Sequence, residues 1–190
     1  MILGMLIHEH GFWLGIEAEL EHRFHPGLCA SVIDYLKLVK AKDVVDLGCG
    51  MGRYVREIND AGIYCEGFDG NPDTSALTRG TCTVLDLSKS QNMTQRDWVI
   101  SLEVGEHIPS LYEGTYLDNV ANHSQTGIIL SWAVKGQGGE GHVNEQSNEY
   151  VSSKMNDRRF ERDELIEIKL RESASLWWFH NSLMIFTRMK

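Results

Sequence analysis

Residues 43–54, DVVDLGCGMGRY, constrain this 190-residue chain more than any other stretch. Four residues of strand character, Val44, Val45, Asp46 and Leu47, run straight into Gly48, Gly50 and Gly52, and a helical pattern starts at Arg53. Strand, tight turn and helix N-terminus therefore follow one another without a break. Glycine is required where the backbone takes positive φ or where a ligand approaches without a Cβ in the way. The free amides of a helix start favour anionic or polar ligand groups. Dinucleotide sites use a related G-x-G-x-x-G turn. Here the spacing is G-x-G-x-G, and Asp46 closes the strand before it, which disfavours a nicotinamide ligand.

This pattern, with Asp46, Gly48, Cys49 and Gly50 at its centre, resembles motif I of the class I S-adenosylmethionine (SAM) dependent methyltransferases, and the likeness extends over most of the chain from residue 43 onward. The resemblance implies a Rossmann-like α/β fold: a seven-stranded sheet of order 3-2-1-4-5-7-6, strand 7 antiparallel, with helices on both faces. It also implies that the carboxylate and amino group of SAM lie over the glycine turn. Further along, residues 63–68 read as a second strand ending at Asp69, Gly70 and Asn71. Asp69 follows the glycine turn at the distance expected of a carboxylate that accepts hydrogen bonds from both ribose hydroxyls. Residues 81–85 read as a third strand. By resemblance, Asp86 after it accepts from the adenine amino group, and Leu87 offers a backbone amide to a ring nitrogen.

The remaining elements follow from periodicity. An amphipathic helix is expected over 26–40, with the apolar Leu28, Val32, Ile33, Leu36, Leu38 and Val39 mostly at helical spacing. Ahead of it, HEHGFWLG (8–15) has no clear period; segments like it often cap the cofactor in enzymes of this type, which makes Trp13 a candidate lid residue or, alternatively, an aromatic anchor. A fourth strand is expected at 97–102, a helix at 111–123, a fifth strand at 126–132, and helices at 146–155 and 162–171, the last with Leu165 and Ile168 inward. Residues 175–180 and 182–188 read as two strands of a hairpin about Asn181, with Trp177 and Trp178 as core and edge covering. The domain expectation is one unit, 1–190, whose first 40 residues form a capping segment and helix.

Glu103, Glu106 and His107 follow the fourth strand. If the chain turns helically after Leu102, these three share one face. Two carboxylates and an imidazole pointing the same way are costly without a counter-charge, and a divalent cation supplies one. The E-x-x-E-H string looks like the metal site of the ubiquinone-pathway O-methyltransferases and of the small-RNA terminal 2′-O-methyltransferases, which makes Mg²⁺ or Mn²⁺ the candidate ion, or Zn²⁺ if fewer carboxylates take part. His142, in the glycine-rich loop after the fifth strand, is the candidate further ligand. Two alternatives stand beside this one: His107 or His142 as a general base without metal, and both as ordinary structural residues. Glu106, His107 and His142 are the candidate catalytic residues. Asp46, Gly48, Cys49, Gly50, Asp69, Gly70, Asn71, Asp86, Leu87 and Glu103 are the candidate cofactor-binding set.

Charge narrows the partners. With 18 basic against 27 acidic residues and a formal net charge of -9, the chain has no footprint for nucleic acid or an anionic membrane. Arg158, Arg159 and Arg162 form the one local basic group. The four cysteines make no C-x-x-C pair, which points to reduced thiols and a cytoplasmic protein. The apolar opening, 1–7, is too short for a membrane span and lacks the basic lead-in of a signal peptide. Little insertion separates the expected elements, so a small-molecule acceptor is favoured, with O-methylation of a hydroxyl as the reaction. Methylation of an RNA end and a non-catalytic SAM-binding regulator are the alternatives.

Overall fold

The computed structural model describes residues 6–16 and 22–190. The apolar opening of the chain is thus described only from Leu6 onward. No helix among the described residues is long and apolar enough to cross a membrane.

Seven strands form one sheet: β1 (Asp43–Leu47), β2 (Tyr64–Asp69), β3 (Cys82–Val84), β4 (Arg96–Ser101), β5 (Ser124–Ser131), β6 (Phe160–Arg162) and β7 (Leu183–Arg188). Their order is β3-β2-β1-β4-β5-β7-β6, and β7 runs antiparallel to both β5 and β6. The topology implied by the family resemblance is the one observed. Central strands are buried on both faces, as their near-continuous apolar runs require, and successive residues alternate between two cores. Val44, Trp98, Ile100, Ile129 and Ile185 face one core, together with α1 (Pro26–Leu38), α2 (Arg53–Asp60), α6 (Glu164–Glu172) and α7 (Phe179–Ser182). Val45, Val99, Ile128, Leu130 and Phe186 face the other, under α4 (Glu113–Asn122) and α5 (Asn148–Asn156). A short α3 (Thr74–Leu77) links β2 to β3.

Three expectations about the C-terminal third are corrected. Residues 175–180 form no strand; turns lead into α7, and the sixth strand is Phe160–Arg162, paired with β7. Aromatic strand propensity there yields to the edge position already filled by β6. Secondly, α6 buries the opposite face from the one expected: Leu165 and Ile168 are 77% and 54% exposed, while Leu170 and Glu167 are buried. The apolar pairs 165/168 and 166/170 both have helical spacing, so periodicity alone does not choose between them. The choice is made by Glu167, which accepts two hydrogen bonds from Arg162 at 2.6 and 2.8 Å and one from the Ile185 amide at 3.2 Å. Finally, Trp177 is 57% exposed rather than core, and both Trp177 and Trp178 line the cleft described next.

Candidate functional site

Parallel strands bring their C-terminal ends to one edge, and the loops leaving β1, β2, β3, β4 and β5 enclose a cleft of about 380 Å³. Asp46, Gly48, Cys49, Gly50, Asp69, Gly70, Asp86, Leu87, Glu103, Glu106, His107 and His142 all line it. Of the residues predicted for the site, Asn71 alone does not line it: its amide donates to Gly15 O at 3.0 Å and accepts from Asp73 N.

The glycine turn is built as its sequence demands. Gly48, Gly50 and Gly52 have φ of 86°, 51° and 62°, a region costly for other residues. A Cβ on Gly48 would also lie 2.3 Å from Val104 Cγ2. Asp69 ties the turn to β2, accepting from the Gly50 amide and the Asn71 amide, each at 2.9 Å. Asp46 is buried, and burial first, then neighbouring Cys82 and Asp69, raises its carboxyl well above the usual range.

An N-terminal arm lies across the cleft. Ile7 and Trp13 form an antiparallel bridge, Phe12 packs where a Gly70 side chain would be, and His10 Nδ1 sits 2.8 Å from Asp86 Oδ2. The Trp13 ring meets His107 edge-on at 5.5 Å between centroids. After the arm, His22 covers Gly50; burial lowers its pKa, and Arg53 acts in the same direction against Asp69. His10, Phe12, His22, Phe24, Tyr54 and Gln137 line the cleft without having been singled out in the sequence. They come from aperiodic segments and carry no spacing signal.

After β4 the chain does not continue as a helix. Glu103 takes a left-handed φ of 57°, its amide donates to Ser131 Oγ, and its carboxylate accepts from Ser182 Oγ and Gln137 Nε2 at 3.2 and 3.4 Å. Glu103 therefore does not join the group that forms: one donor atom each from Glu106, His107 and His142 lie within 4.8 Å of one another. The long loop after β5 brings His142 there. Its Val143 and Asn144 amides both bond Glu106 O at 2.9 Å, and the His107 and His142 rings meet edge-on at 5.0 Å. His107 is held neutral, its pKa pulled down to about 4 by burial and then by His142.

Glu106 is the anomaly. It is fully buried, and neither carboxylate oxygen has a hydrogen-bond partner among the described residues. Trp13 Nε1, Tyr54 Oη and Trp178 Nε1, on the same cleft, are likewise unpartnered. Buried polar groups are almost always satisfied, so this concentration marks a place for a ligand. An oxygen and two imidazole nitrogens also form a donor set that suits a divalent cation. Burial and then Glu103 raise the Glu106 carboxyl well above its ordinary 4.5. The folded state thus holds this proton more tightly than the unfolded chain, and the associated stability is fully present below about pH 4.5 and lost as pH rises toward the folded pKa. In metal-free protein, Glu106→Gln is expected to be more stable than the parent at alkaline pH by about 1–3 kcal/mol, the two converging near pH 4. Parallel thermal melts across that range are the check, and identical pH dependence would reject a protonated Glu106.

The fold is that of the class I SAM-dependent methyltransferases. Among solved structures, the chain is similar to magnesium protoporphyrin IX methyltransferase from Synechocystis with bound S-adenosylhomocysteine (TM-score 0.66, 18% identity, covering 84% of this chain and 81% of that one). It is also similar to an amino pentose methyltransferase from Micromonospora echinaspora with bound SAM (0.64, 15%, 85% and 90%) and to the methyltransferase domain of bacterial CtHen1 (0.58, 17%, 86% and 98%). No protein-family model matches the chain, and no curated protein matches it in sequence.

Proposed function

We propose that the chain is a SAM-dependent methyltransferase acting on a hydroxyl of a small molecule. The observation that carries this reading is the alignment, along one cleft, of the glycine turn, Asp69 and Asp86 with a Glu106, His107 and His142 group at its far end. Two of the similar structures hold SAM or S-adenosylhomocysteine on the same fold. Here the turn amides and Asp46 face the amino-acid end of the cofactor, Asp69 the ribose, and Asp86 and Leu87 the adenine. Phe12 on Gly70 and Trp13 over His107 then act as the lid.

Bound SAM supplies an activated methyl group, so the protein's own task is alignment and removal of the hydroxyl proton. His107, held neutral by burial, and His142 beside it supply imidazole nitrogens for that proton. With Glu106 they would also hold Mg²⁺ or Mn²⁺, which lowers the pKa of a bound hydroxyl. An aromatic rim of Phe24, Tyr54, Trp177 and Trp178 suits a flat, largely apolar acceptor. The RNA-end alternative gains no support from that group: Arg158 is paired with Asp118 and Arg162 with Glu167, so two of its three arginines already face carboxylates. Free cysteines throughout fit a reducing, cytoplasmic setting.

Calorimetry tests both layers. S-adenosylhomocysteine is expected to bind and NAD not to bind; silence with both ligands sinks the cofactor assignment. Mg²⁺ or Mn²⁺ titrated into a His107→Ala, His142→Ala double variant is expected to show no binding. Undiminished metal affinity there rejects the metal role and leaves the histidine base.

A further inference from the structure

We propose that Glu145 is the positioning residue of this site: its carboxylate fixes His142 as the Nδ1–H tautomer, so that the ring offers its Nε2 lone pair to a substrate proton or a cation. The chemistry rests on the methyltransferase reading above; the geometry does not.

Glu145 stands at the end of the glycine loop and gathers three donors. Its Oε2 accepts from the Gly136 amide at 2.7 Å, and its Oε1 accepts from the Gly138 amide at 2.7 Å and faces His142 Nδ1 at 3.0 Å. Two backbone amides already donate to this carboxylate, one to each oxygen, which makes it the acceptor of the cluster. An ionised carboxylate only accepts, so the nitrogen facing it must carry the proton. A charge-assisted bond of this kind is about twice as strong as a neutral one and sets which ring nitrogen stays bare.

The same loop selects the same tautomer on the second imidazole. His107 Nδ1 lies 3.3 Å from Gly141 O, and a carbonyl oxygen cannot donate. With both Nδ1 atoms engaged, each ring carries its lone pair on Nε2. Gly139 keeps the His142 Nε2 uncovered, because a Cβ there would lie 2.3 Å from it. Glycine at 136, 138 and 141 meets a separate need, since all three have positive φ, at 85°, 70° and 75°. The glycine-rich composition of the loop is thus what lets a short peptide wrap one carboxylate and present two imidazoles in matched tautomers.

The test is long-range ¹⁵N–¹H correlation spectroscopy of the histidine rings in the EDTA-treated 190-residue chain, at a pH where the imidazoles are neutral. The expected result is an Nδ1–H pattern for both His107 and His142; an Nε2–H pattern for His142 overturns the proposal. In Glu145→Ala the His142 ratio of Nδ1–H to Nε2–H is expected to fall about tenfold or more, while His107, held by Gly141 O, keeps its pattern as an internal control. An unchanged His142 pattern overturns the proposal. Should that variant fail to fold, Glu145→Gln keeps an acceptor but removes the charge, and a mixed His142 pattern is expected; a pattern identical to the parent's overturns the role of the carboxylate. Titrating S-adenosylhomocysteine into the same samples separates the two readings. Absent binding with the tautomers as stated rejects the methyltransferase reading alone, and binding with His142 as Nε2–H rejects Glu145 alone.

Discussion

Titration of S-adenosylhomocysteine into an Asp69→Ala variant is expected to show affinity weakened by about 1.5–3 kcal/mol, roughly ten- to a hundredfold, the range for hydrogen bonds to a charged acceptor. Asp69 closes β2 at the floor of the cleft, and its two oxygens already hold the Gly50 and Asn71 amides. Each carboxylate oxygen has a second lone pair for a ribose hydroxyl. The substitution therefore removes the acceptor proposed for the ribose and releases the glycine turn at once. Asp69→Asn separates the effects, because a carboxamide retains one acceptor without charge, and its loss should be the smaller. Unchanged affinity in Asp69→Ala would mean that the cofactor does not lie along β2, and the assignment of Asp86 to adenine would fall with it.

The largest loss of stability is expected from Glu167→Ala, at about 3–5 kcal/mol, the cost of stripping one partner from a buried ion pair. Glu167 has a 2% exposed side chain, takes two hydrogen bonds from Arg162, and stands 3.4 Å from Arg171. Its removal leaves Arg162 with only the exposed Glu164 at 3.9 Å and takes from Arg171 the carboxylate it faces at 3.4 Å. Urea denaturation gives the number directly. A loss below about 1 kcal/mol, the value of an exposed pair, would show that water reaches the arginines and that the α6 face is less closed than it looks. Replacing Arg162 and Glu167 together with Met and Leu is expected to recover the Arg162 share of the loss, since apolar groups of similar volume need no desolvation repayment, while Arg171 still lacks its carboxylate.

The ion pair also explains what was legible in the chain and what was not. The parallel half of the sheet could be read because its central strands β1, β4 and β5 carry apolar runs stopped by turn residues, and the glycine turn carries the resemblance that orders them. The final third could not be read in the same way. Residues 175–180 have the aromatic composition of a strand, yet the β7 edge is taken by Phe160–Arg162, a segment of three residues with no periodic signal. Leu165 and Ile168 have the spacing of a buried pair, but Glu167 turns that face outward.

The site divides along the same line. Sequence alone determined the glycine turn, its acidic neighbours Asp46, Asp69 and Asp86, and the presence of two glutamates and a histidine after β4, because each is set by its distance from a strand end. Which of those acids would meet the histidines was decided only by tertiary structure. The left-handed turn at Glu103 sends its carboxylate toward Ser182 and Gln137, while Glu106 stays buried beside His107. His142 reaches them because the β5 loop hydrogen-bonds back onto Glu106 O. The physical reason is range: strand and turn chemistry is local and leaves its mark in neighbouring residues, whereas the meeting of three side chains from two loops depends on hydrogen bonds between segments more than thirty residues apart.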